Sequence, residues 1–493
     1  MAIRKISVPM ASASKSPSNS ANAHKSKTEK KLGLLNSEHC EFLSNALLTL
    51  NKGFQYLPEF KNAVPGSEQL GNVLTATAKR LQDNYPYFHP LYAGQMLKPP
   101  HPVAQLAYAL AMTINPNNHA LDGGRATSAL EKEAVAQLAA MFGWSKFLGH
   151  LCGGGTIANL EALWVASLLA PGRTIVASSQ SHYTHERISK VLQLAFETIS
   201  CDARGRIDLN VLEKRLKRRG VGTVVVTMGT TATGSVDPLH EILALRKKYN
   251  FRIHADAAYG GYFTLVENLE PDTQSAFAAI AEANSIAIDP HKHGLQPYGC
   301  GCILFKDPGV GRWYRHNSPY TYFTSTDLHL GEISLECSRP GAAAAALWAT
   351  QRSLPLTKHG EFAQGLAKGR EAARALYERL RADDRFITPF PPELDIVIFA
   401  LRAQSVSAAS LISRRIFEAA AQRDLHLALA DLPAHFFPNL PPNMKPDRDT
   451  ITCLRSVLMK PAHFDWVDQI WSRVLASVAD VENPRTGISR RTK

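Results

Sequence analysis

The sequence FRIHADAAYGG at residues 251–261, followed by SIAIDPHKHG at residues 285–294, decides the fold. Each stretch begins with a short apolar run, which predicts a buried strand, and each run ends at charged side chains. The first run ends at Asp256, and the second ends at Asp289 and Lys292. In α/β proteins, ligands bind in the crevice at the carboxyl ends of the strands. We therefore expect Asp256 and Lys292 to lie together in a binding site.

An acid and a lysine in such a crevice favour one kind of chemistry. A lysine can form a Schiff base with an aldehyde cofactor or a carbonyl substrate, and it needs a lowered pKa, which burial can provide. A nearby acid can keep a pyridine nitrogen protonated, so that the ring withdraws electrons from a developing carbanion. The alternative is that Lys292 is a solvated strand-end lysine and Asp256 a turn former. The occurrence of both residues favours the catalytic interpretation.

Strands and helices alternate from about residue 158 to residue 305, which predicts an α/β fold with a mostly parallel central sheet. After residue 356 the pattern changes to helix, strand and helix, which predicts a smaller α+β C-terminal domain. The predicted organisation is a disordered basic tail at 1–31, an N-terminal helical segment at 32–104, a large cofactor-binding domain at 105–355, a small C-terminal domain at 356–483 and a basic tail at 484–493.

The net charge of +12 is concentrated at the two ends of the chain. Residues 1–31 carry seven Lys and Arg and one acid, and residues 484–493 carry four Lys and Arg and no acid, so the tails supply ten of the twelve charges. The body is nearly neutral, and nucleic-acid binding is therefore disfavoured. We expect a cytoplasmic protein, because the sequence has neither a secretory signal nor an apolar run of the roughly 20 residues that a membrane helix needs.

The seven cysteines are scattered without the paired spacing of zinc ligands, and an odd number argues against a disulfide framework. We expect no metal site.

The glycines at 153–155 precede a predicted helix, and free backbone N–H groups at a helix start suit a phosphate. A tight turn is the alternative for these glycines. The long irregular segment at 306–338 is rich in aromatic residues and is typical of a functional or disordered loop.

At HADAA (residues 254–258) and DPHK (residues 289–292), the chain resembles the pyridoxal-phosphate-dependent group II amino-acid decarboxylases. This family includes the aromatic-L-amino-acid, tyrosine and glutamate decarboxylases. The resemblance extends roughly from residue 85 to residue 478. It implies a fold-type I large domain, pyridoxal 5'-phosphate as the cofactor, and a homodimer with the site at the interface, in which the N-terminal segment packs against the partner subunit.

The resemblance also implies roles for individual residues. Lys292 would hold the cofactor, Asp256 would contact its pyridine nitrogen, and His182 and Ala258 would lie on opposite faces of its ring. A tyrosine of the 306–338 loop would return a proton to the substrate, with Tyr320 preferred and Tyr322 the alternative. The remaining implied cofactor contacts are Gly155, Thr156, Thr230, Asp289 and His291.

The predicted reaction is removal of the α-carboxylate of an L-amino acid as carbon dioxide, which leaves the amine. An aromatic substrate such as tyrosine is favoured, because residues 289–298 and 318–341 resemble the bacterial tyrosine decarboxylase branch. A glutamate or aspartate decarboxylase would need a further cationic group. An aldehyde synthase or an aminotransferase would use the same lysine and acid. A non-enzymatic binding protein is disfavoured, because Lys292, Asp256 and His182 are all present.

Overall fold

The computed structural model describes residues 35–59, 66–315, 327–438, 440 and 444–483. Both predicted tails lie outside the described residues, and so do Tyr320 and Tyr322. The described residues form a sheet of seven strands and a second sheet of four strands, with helices packed around them.

The seven-stranded sheet contains the two predicted strands of residues 251–261 and 285–294. Its strands are Leu148–Cys152 (β1), Thr174–Ser178 (β2), Phe196–Ile199 (β3), Val221–Thr227 (β4), Arg252–Asp256 (β5), Ser285–Ile288 (β6) and Gly301–Phe305 (β7). Their order is β1-β7-β6-β5-β4-β2-β3. From β3 to β6 the neighbouring strands are parallel, and β7 is antiparallel to both of its neighbours. The prediction of a mostly parallel sheet is confirmed.

Thirteen α-helices connect and flank the strands within the described residues. They are Ser37–Lys52 (α1), Ser67–Leu81 (α2), Pro102–Met112 (α3), Leu121–Met141 (α4), Gly155–Leu169 (α5), Thr184–Val191 (α6), Leu209–Lys217 (α7), Leu239–Tyr249 (α8), Pro271–Ala278 (α9), Gly341–Ser353 (α10), Glu361–Ala382 (α11), Val406–Ala421 (α12) and His463–Glu482 (α13). Short 3-10 helices lie at Gly261–Leu265, Ala279–Glu282, Pro308–Trp313, Leu330–Glu332 and Ala434–Phe436.

Both faces of the large sheet are covered, and β4 shows this directly. All seven of its residues are buried, in a run rich in β-branched side chains. Val224 and Val226 point to one face and join the main apolar cluster, whereas Val225 points to the other face and packs with Leu163 of α5. A strand that is apolar on both faces is what a parallel sheet between two helix layers requires.

The second sheet lies in the C-terminal part of the chain. Its strands are Phe386–Ile387 (β8), Ile396–Leu401 (β9), Ala428–Pro433 (β10) and Thr450–Val457 (β11), in the antiparallel order β10-β11-β9-β8. The apolar runs at residues 394–401 and 450–459 predict two strands here, and the structure has β9 and β11 at these places. Strand β10 is not predicted, because its sequence, ALADLP, has no regular alternation of apolar and polar residues and ends at Pro433.

The N-terminal helices α1 and α2 form as the apolar spacing predicts, but neither contains a buried residue. Large apolar side chains on them stay in contact with solvent, including Phe42, Leu48, Val73 and Leu74. In the part of the chain that the structure describes, no helix combines the length and the apolar character needed to cross a membrane.

Candidate active site

A cavity of about 370 Å³ opens at the carboxyl ends of β4, β5 and β6, beside the first turn of α5. Its lining residues are Gly153, Gly154, Gly155, Thr156, Ile157, Asn159, His182, Tyr183, Thr184, Thr227, Gly229, Thr231, Asp256, Ala258, Tyr259, Asp289, His291 and Lys292. The sheet order explains this convergence, because neighbouring parallel strands end at the same edge. The predicted site residues that the structure describes thus meet in one place, with the exception of Thr230.

Asp256, the last residue of β5, is buried in the wall of this cavity. Its Oδ2 lies 2.8 Å from Nε2 of His185 and accepts a hydrogen bond of 3.4 Å from the side-chain amide of Asn159. Burial opposes ionisation, but the hydrogen bond and charge of His185 prevail and hold the pKa of Asp256 below its ordinary value. Asp256 is therefore ionised, and its carboxylate can accept a hydrogen bond from a protonated ring nitrogen.

Three buried side chains support this carboxylate from behind. Nε2 of His254 lies 2.7 Å from Oδ1 of Asn159, and Nδ1 of His254 lies 2.9 Å from Oγ of Ser285. Burial, reinforced by the charge of His185, lowers the pKa of His254 to about 3, so the ring is neutral. A neutral His254 donates to Asn159 and accepts from Ser285, which orients the Asn159 amide toward Asp256.

Sequence reasoning identified Asp256 but missed His185, Asn159 and the orienting role of His254. His185 follows His182 by three residues in Ser181–His185, SHYTH, and only the first histidine was taken as functional. In the structure the second histidine, in the first turn of α6, is the one that is fully buried against Asp256. The available signal was the spacing of two histidines near a strand end.

Lys292 lines the same cavity as Asp256 and lies in the turn that follows β6. Its Nζ is 3.0 Å from Oδ2 of Asp289, and about a quarter of the lysine side chain (23%) is exposed. Burial acts to lower the pKa of Lys292, but the charge and hydrogen bond of Asp289 outweigh it and raise the pKa. The expectation of a lowered lysine pKa is thus wrong for this structure, because an acid three residues earlier pairs with the ammonium group.

His291 lines the same cavity, and its Nε2 lies 3.6 Å from Oδ2 of Asp289. Its backbone N–H donates to the carbonyl of Cys300, which fixes the turn between β6 and β7. Burial lowers the pKa of His291, so its ring is neutral despite the neighbouring carboxylate.

The glycines at 153–155 bring backbone close to this turn. Gly154 has φ of +149°, a conformation that side chains disfavour, and a Cβ there would lie 3.2 Å from Cε1 of His291. A Cβ on Gly155 would lie 2.8 Å from Oδ2 of Asp289. The helix α5 begins at Gly155, so its positive end and the hydroxyl of Thr156 face the cavity. This set of donors fits a phosphate group.

His182 and Ala258 line the cavity, as predicted. Nδ1 of His182 accepts a hydrogen bond of 3.3 Å from the backbone N–H of Thr184, and burial lowers the pKa of the ring. The backbone N–H of Ala258 donates to Oδ1 of Asp256 over 3.2 Å. A neutral imidazole and a methyl group are suited to contact the faces of a flat ring.

Thr230 occupies a different environment from the other predicted cofactor residues. Its hydroxyl lies 2.8 Å from Oγ1 of Thr233 and accepts from the N–H of Ser235, so it is bonded within its own turn. The neighbouring Thr231 lines the cavity instead. Tyr320, the predicted proton donor, lies outside the described residues.

The chain is similar to known decarboxylases. Residues 161–402 match the family model described as the pyridoxal-dependent decarboxylase conserved domain. An L-tyrosine decarboxylase of Enterococcus faecium is 25% identical over 494 aligned residues, which cover 78% of this chain and 80% of that protein. A probable L-tyrosine/L-aspartate decarboxylase of Methanoculleus marisnigri is 30% identical over 255 residues, which cover 51% of this chain and 67% of that protein.

Solved structures show the same fold. The crystal structure of Oryza sativa TDC with PLP and tryptamine superimposes with a TM-score of 0.71, at 17% identity, over 91% of this chain and 99% of that chain. The likeness places this chain in fold-type I. Together with the sequence matches, it shows that the chain belongs to the pyridoxal-phosphate-dependent group II amino-acid decarboxylase family and is a carboxy-lyase.

Proposed function

We propose that this enzyme decarboxylates an aromatic L-amino acid, with tyrosine favoured, and releases the amine and carbon dioxide. The observation that carries the proposal is that an ionised Asp256 and Lys292 line the same cavity. The names of the Enterococcus faecium and Methanoculleus marisnigri relatives support tyrosine.

The charges of the cavity favour an aromatic over an acidic substrate. Lys292 is the only lysine or arginine among the described residues that line it. If Lys292 holds the cofactor, the side-chain carboxylate of glutamate or aspartate finds no lysine or arginine on this wall. Aspartate remains the second candidate, because the Methanoculleus marisnigri relative is named for both substrates.

The proposed roles follow from the positions of the side chains. Pyridoxal phosphate, when bound, supplies a ring that withdraws electrons from the substrate's α carbon. Lys292 would hold the cofactor aldehyde after losing a proton, and Asp289, 3.0 Å away, would accept that proton. Asp256 would hold a proton on the pyridine nitrogen. Since Asp256 is backed by His185 and Asn159, its carboxylate is already oriented for this contact.

The other proposed cofactor contacts line the same cavity as Lys292 and Asp256, apart from Thr230. Gly155 and Thr156 would bind the phosphate, His182 and Ala258 would contact the two faces of the ring, and His291 would lie at its edge. A contact from Thr230 would need its hydroxyl to leave the Thr233–Ser235 hydrogen bonds. Thr231, which follows Thr230 and lines the cavity, is therefore a further proposed cofactor contact.

The proton that replaces the carboxylate would come from Tyr320, with Tyr322 the alternative. A phenol at the α carbon is a suitable general acid for this step. The Tyr320→Phe and Tyr322→Phe enzymes distinguish the two residues. We expect the first to lose amine formation while substrate binding is retained, and the second to resemble the wild type. The reverse result would assign the role to Tyr322.

A homodimer is also part of this proposal, with each site at the interface. The exposed apolar side chains of α1 and α2 support it, because a lone chain leaves them in water. We place the enzyme in the cytoplasm, where its amino-acid substrate is available.

The test is a product analysis with the cofactor-loaded enzyme. L-tyrosine, L-dopa, L-phenylalanine, L-tryptophan, L-aspartate and L-glutamate are supplied separately, and carbon dioxide, amine, keto acid, aldehyde and peroxide are measured. We expect equal amounts of carbon dioxide and amine, greatest with tyrosine. A keto acid would indicate an aminotransferase, and aldehyde with peroxide would indicate an aldehyde synthase; either would contradict the proposal.

A further inference from the structure

A second cavity, of about 310 Å³, lies at the junction of the segment before α3, the start of α11 and the segment after β11. We call it the lysine cavity, since Lys98 and Lys460 both line it. It shares no lining residue with the cofactor cavity within the described chain. Its volume is at the lower end of the range for small-molecule sites, roughly 300–1,000 Å³.

Lys460 is buried, Lys98 is partly buried, and both are sparsely bonded. Lys460 is 5% exposed and donates from Nζ to the carbonyl of Tyr92 over 2.6 Å. Nζ of Lys98 donates to the carbonyl of Met459 over 3.4 Å. An ammonium group has three donors, and each lysine uses one of them on a carbonyl of the described chain. The cavity therefore holds donors that can serve a ligand.

Among the described residues, Asp395 is the acid whose charge acts on Lys98, and no acid offsets the charge of Lys460. Burial lowers the pKa of Lys98 to about 8, although the charge of Asp395 opposes the shift. Burial and the charge of Lys98 together lower the pKa of Lys460 to about 7. A buried cation with a lowered pKa would gain stability from a bound anion.

A buried histidine is the second sign of a polar ligand. His293 is 1% exposed, lines the lysine cavity, and has no hydrogen-bond partner for either ring nitrogen among the described residues. Its Nε2 lies 3.4 Å from Oδ2 of Asp395 without the geometry of a hydrogen bond. Buried polar groups in folded proteins are normally hydrogen-bonded, so this ring lacks a partner.

Apolar side chains and prolines form much of the rest of the wall, which also contains His101 and Glu361. Phe88, Leu354 and Phe362 line it, and Pro99, Pro100 and Pro102 fix the shape of its rim. Glu361, which is exposed at the edge, would repel a second negative charge. The cavity thus combines a cationic end with apolar sides, and it suits a ligand with one negative charge and an apolar body.

We propose that the lysine cavity binds a small monocarboxylate with an apolar body, of about the size of phenylacetate. Its carboxylate would accept hydrogen bonds from Lys98 and Lys460, and its apolar part would pack against Phe88 and Phe362. Two links connect this site with the cofactor cavity. His293 follows Lys292 in the chain, and Asp395 accepts a hydrogen bond of 2.5 Å from Tyr259, which lines the cofactor cavity.

The test is calorimetric titration of phenylacetate into the cofactor-loaded full-length enzyme. We expect one site per chain, and binding weakened roughly tenfold or more in Lys98→Met and Lys460→Met, as expected for loss of a charge-assisted hydrogen bond. Lys460→Arg should retain binding, which separates loss of charge from misfolding. Lys368→Met, at an exposed lysine of α11, is the matched control and should bind as the wild type does.

Two further arms identify the site and the chemistry. His182→Ala alters the cofactor cavity and should leave phenylacetate binding unchanged, whereas benzyl alcohol, which lacks the carboxylate, should bind much more weakly than phenylacetate. The proposal is overturned if phenylacetate does not bind, if His182→Ala abolishes binding while the lysine variants do not, or if benzyl alcohol binds equally well. None of these outcomes depends on which amino acid the enzyme decarboxylates.

Discussion

The backbone of Gly155 lies against the carboxylate of Asp289, and a Cβ at this glycine would lie 2.8 Å from Oδ2 and 3.2 Å from Oδ1. Gly155→Ala would therefore displace Asp289 or the start of α5. Overpacking of this kind costs about 1–3 kcal/mol, so we expect pyridoxal phosphate to bind roughly tenfold or more weakly. Titration of the apoenzyme with the cofactor, followed by absorbance, measures the change.

The matched control is Gly71→Ala, because a Cβ on this exposed glycine of α2 meets no atom within 4 Å. We expect Gly71→Ala to leave cofactor affinity unchanged and to stabilise the helix slightly. If Gly155→Ala bound the cofactor as tightly as Gly71→Ala does, the close approach of the glycine loop to Asp289 would have no role in binding.

His254 makes stability depend on pH, since burial lowers its pKa to about 3. In the unfolded chain a histidine has a pKa of about 6.5, so between about pH 6.5 and pH 3 the unfolded state binds a proton that the folded state does not. The free energy of unfolding therefore falls as the pH falls through this window. We expect the wild type to lose about 1 kcal/mol more than His254→Gln between pH 7.5 and pH 5.5.

Urea unfolding at the two pH values measures this difference, and the variant subtracts the contribution of the other titrating groups. Equal losses in the two proteins would show that His254 takes up a proton in the folded enzyme over the same pH range as in the unfolded chain, so that its ring is protonated at pH 5.5. In that case His254 could not accept a hydrogen bond from Ser285 while donating to Asn159.

At the residue scale, the sequence predicted which charges meet but not how they are paired. The strand-end positions of Asp256 and Lys292 were predictable, because periodicity and strand order determine them. The partners of Asp256 were not, since His185 arrives from α6 and Asn159 from α5, far away along the chain. The raised pKa of Lys292 depends on a contact with Asp289 that a turn conformation sets.

At the scale of elements, the buried Asp237 does not cap the helix that the sequence predicts after it. Asp237 followed by a proline predicts the cap of a helix, and a helix does follow, as α8. The carboxylate instead accepts from the backbone N–H of Ile207 and of Thr227, over 2.7 and 2.8 Å, and so ties the end of β4 to the segment before α7. The helix α8 was thus predictable from the sequence, whereas the role of Asp237 before it depends on hydrogen bonds to distant parts of the chain.

The helices α1 and α2 give a prediction about assembly. Leu74 and Leu81 of α2 are 60% and 61% exposed in the isolated chain. If they pack against a partner subunit, a charge on this face must be desolvated. We expect the double variant Leu74→Glu with Leu81→Glu to run as a monomer in size-exclusion chromatography with light scattering, whereas the wild type has twice the chain mass.

The control for assembly is Asn72→Glu, on the opposite face of α2, which should remain dimeric. A double variant that stays dimeric would show that this face is not the interface. A wild type that is monomeric would contradict the proposed homodimer and the placement of each site at an interface, although the cavity at the carboxyl edge of the sheet is lined by residues of one chain.

At the scale of the whole molecule, the mostly parallel character of the large sheet follows from patterns along the sequence, whereas the order of its strands does not. The alternation of strands and helices predicted the parallel sheet, and the break near residue 356 predicted a second unit after it. The short strand β8 and the proline-terminated β10 carry too little periodic signal to be found in this way. The concentration of ten of the twelve net charges in the tails leaves a nearly neutral body for binding a small zwitterionic substrate.

The most direct test of the account is to locate the cofactor on the chain. The cofactor-loaded enzyme is reduced with borohydride, digested and analysed by mass spectrometry, in parallel with Lys292→Ala after its fold is verified by thermal unfolding. We predict a pyridoxyl label on Lys292 alone and no label in the variant. A label on Lys98 or Lys460, whose pKa values burial lowers, or an unlabelled wild type would contradict the placement of the active site at the carboxyl edge of the sheet.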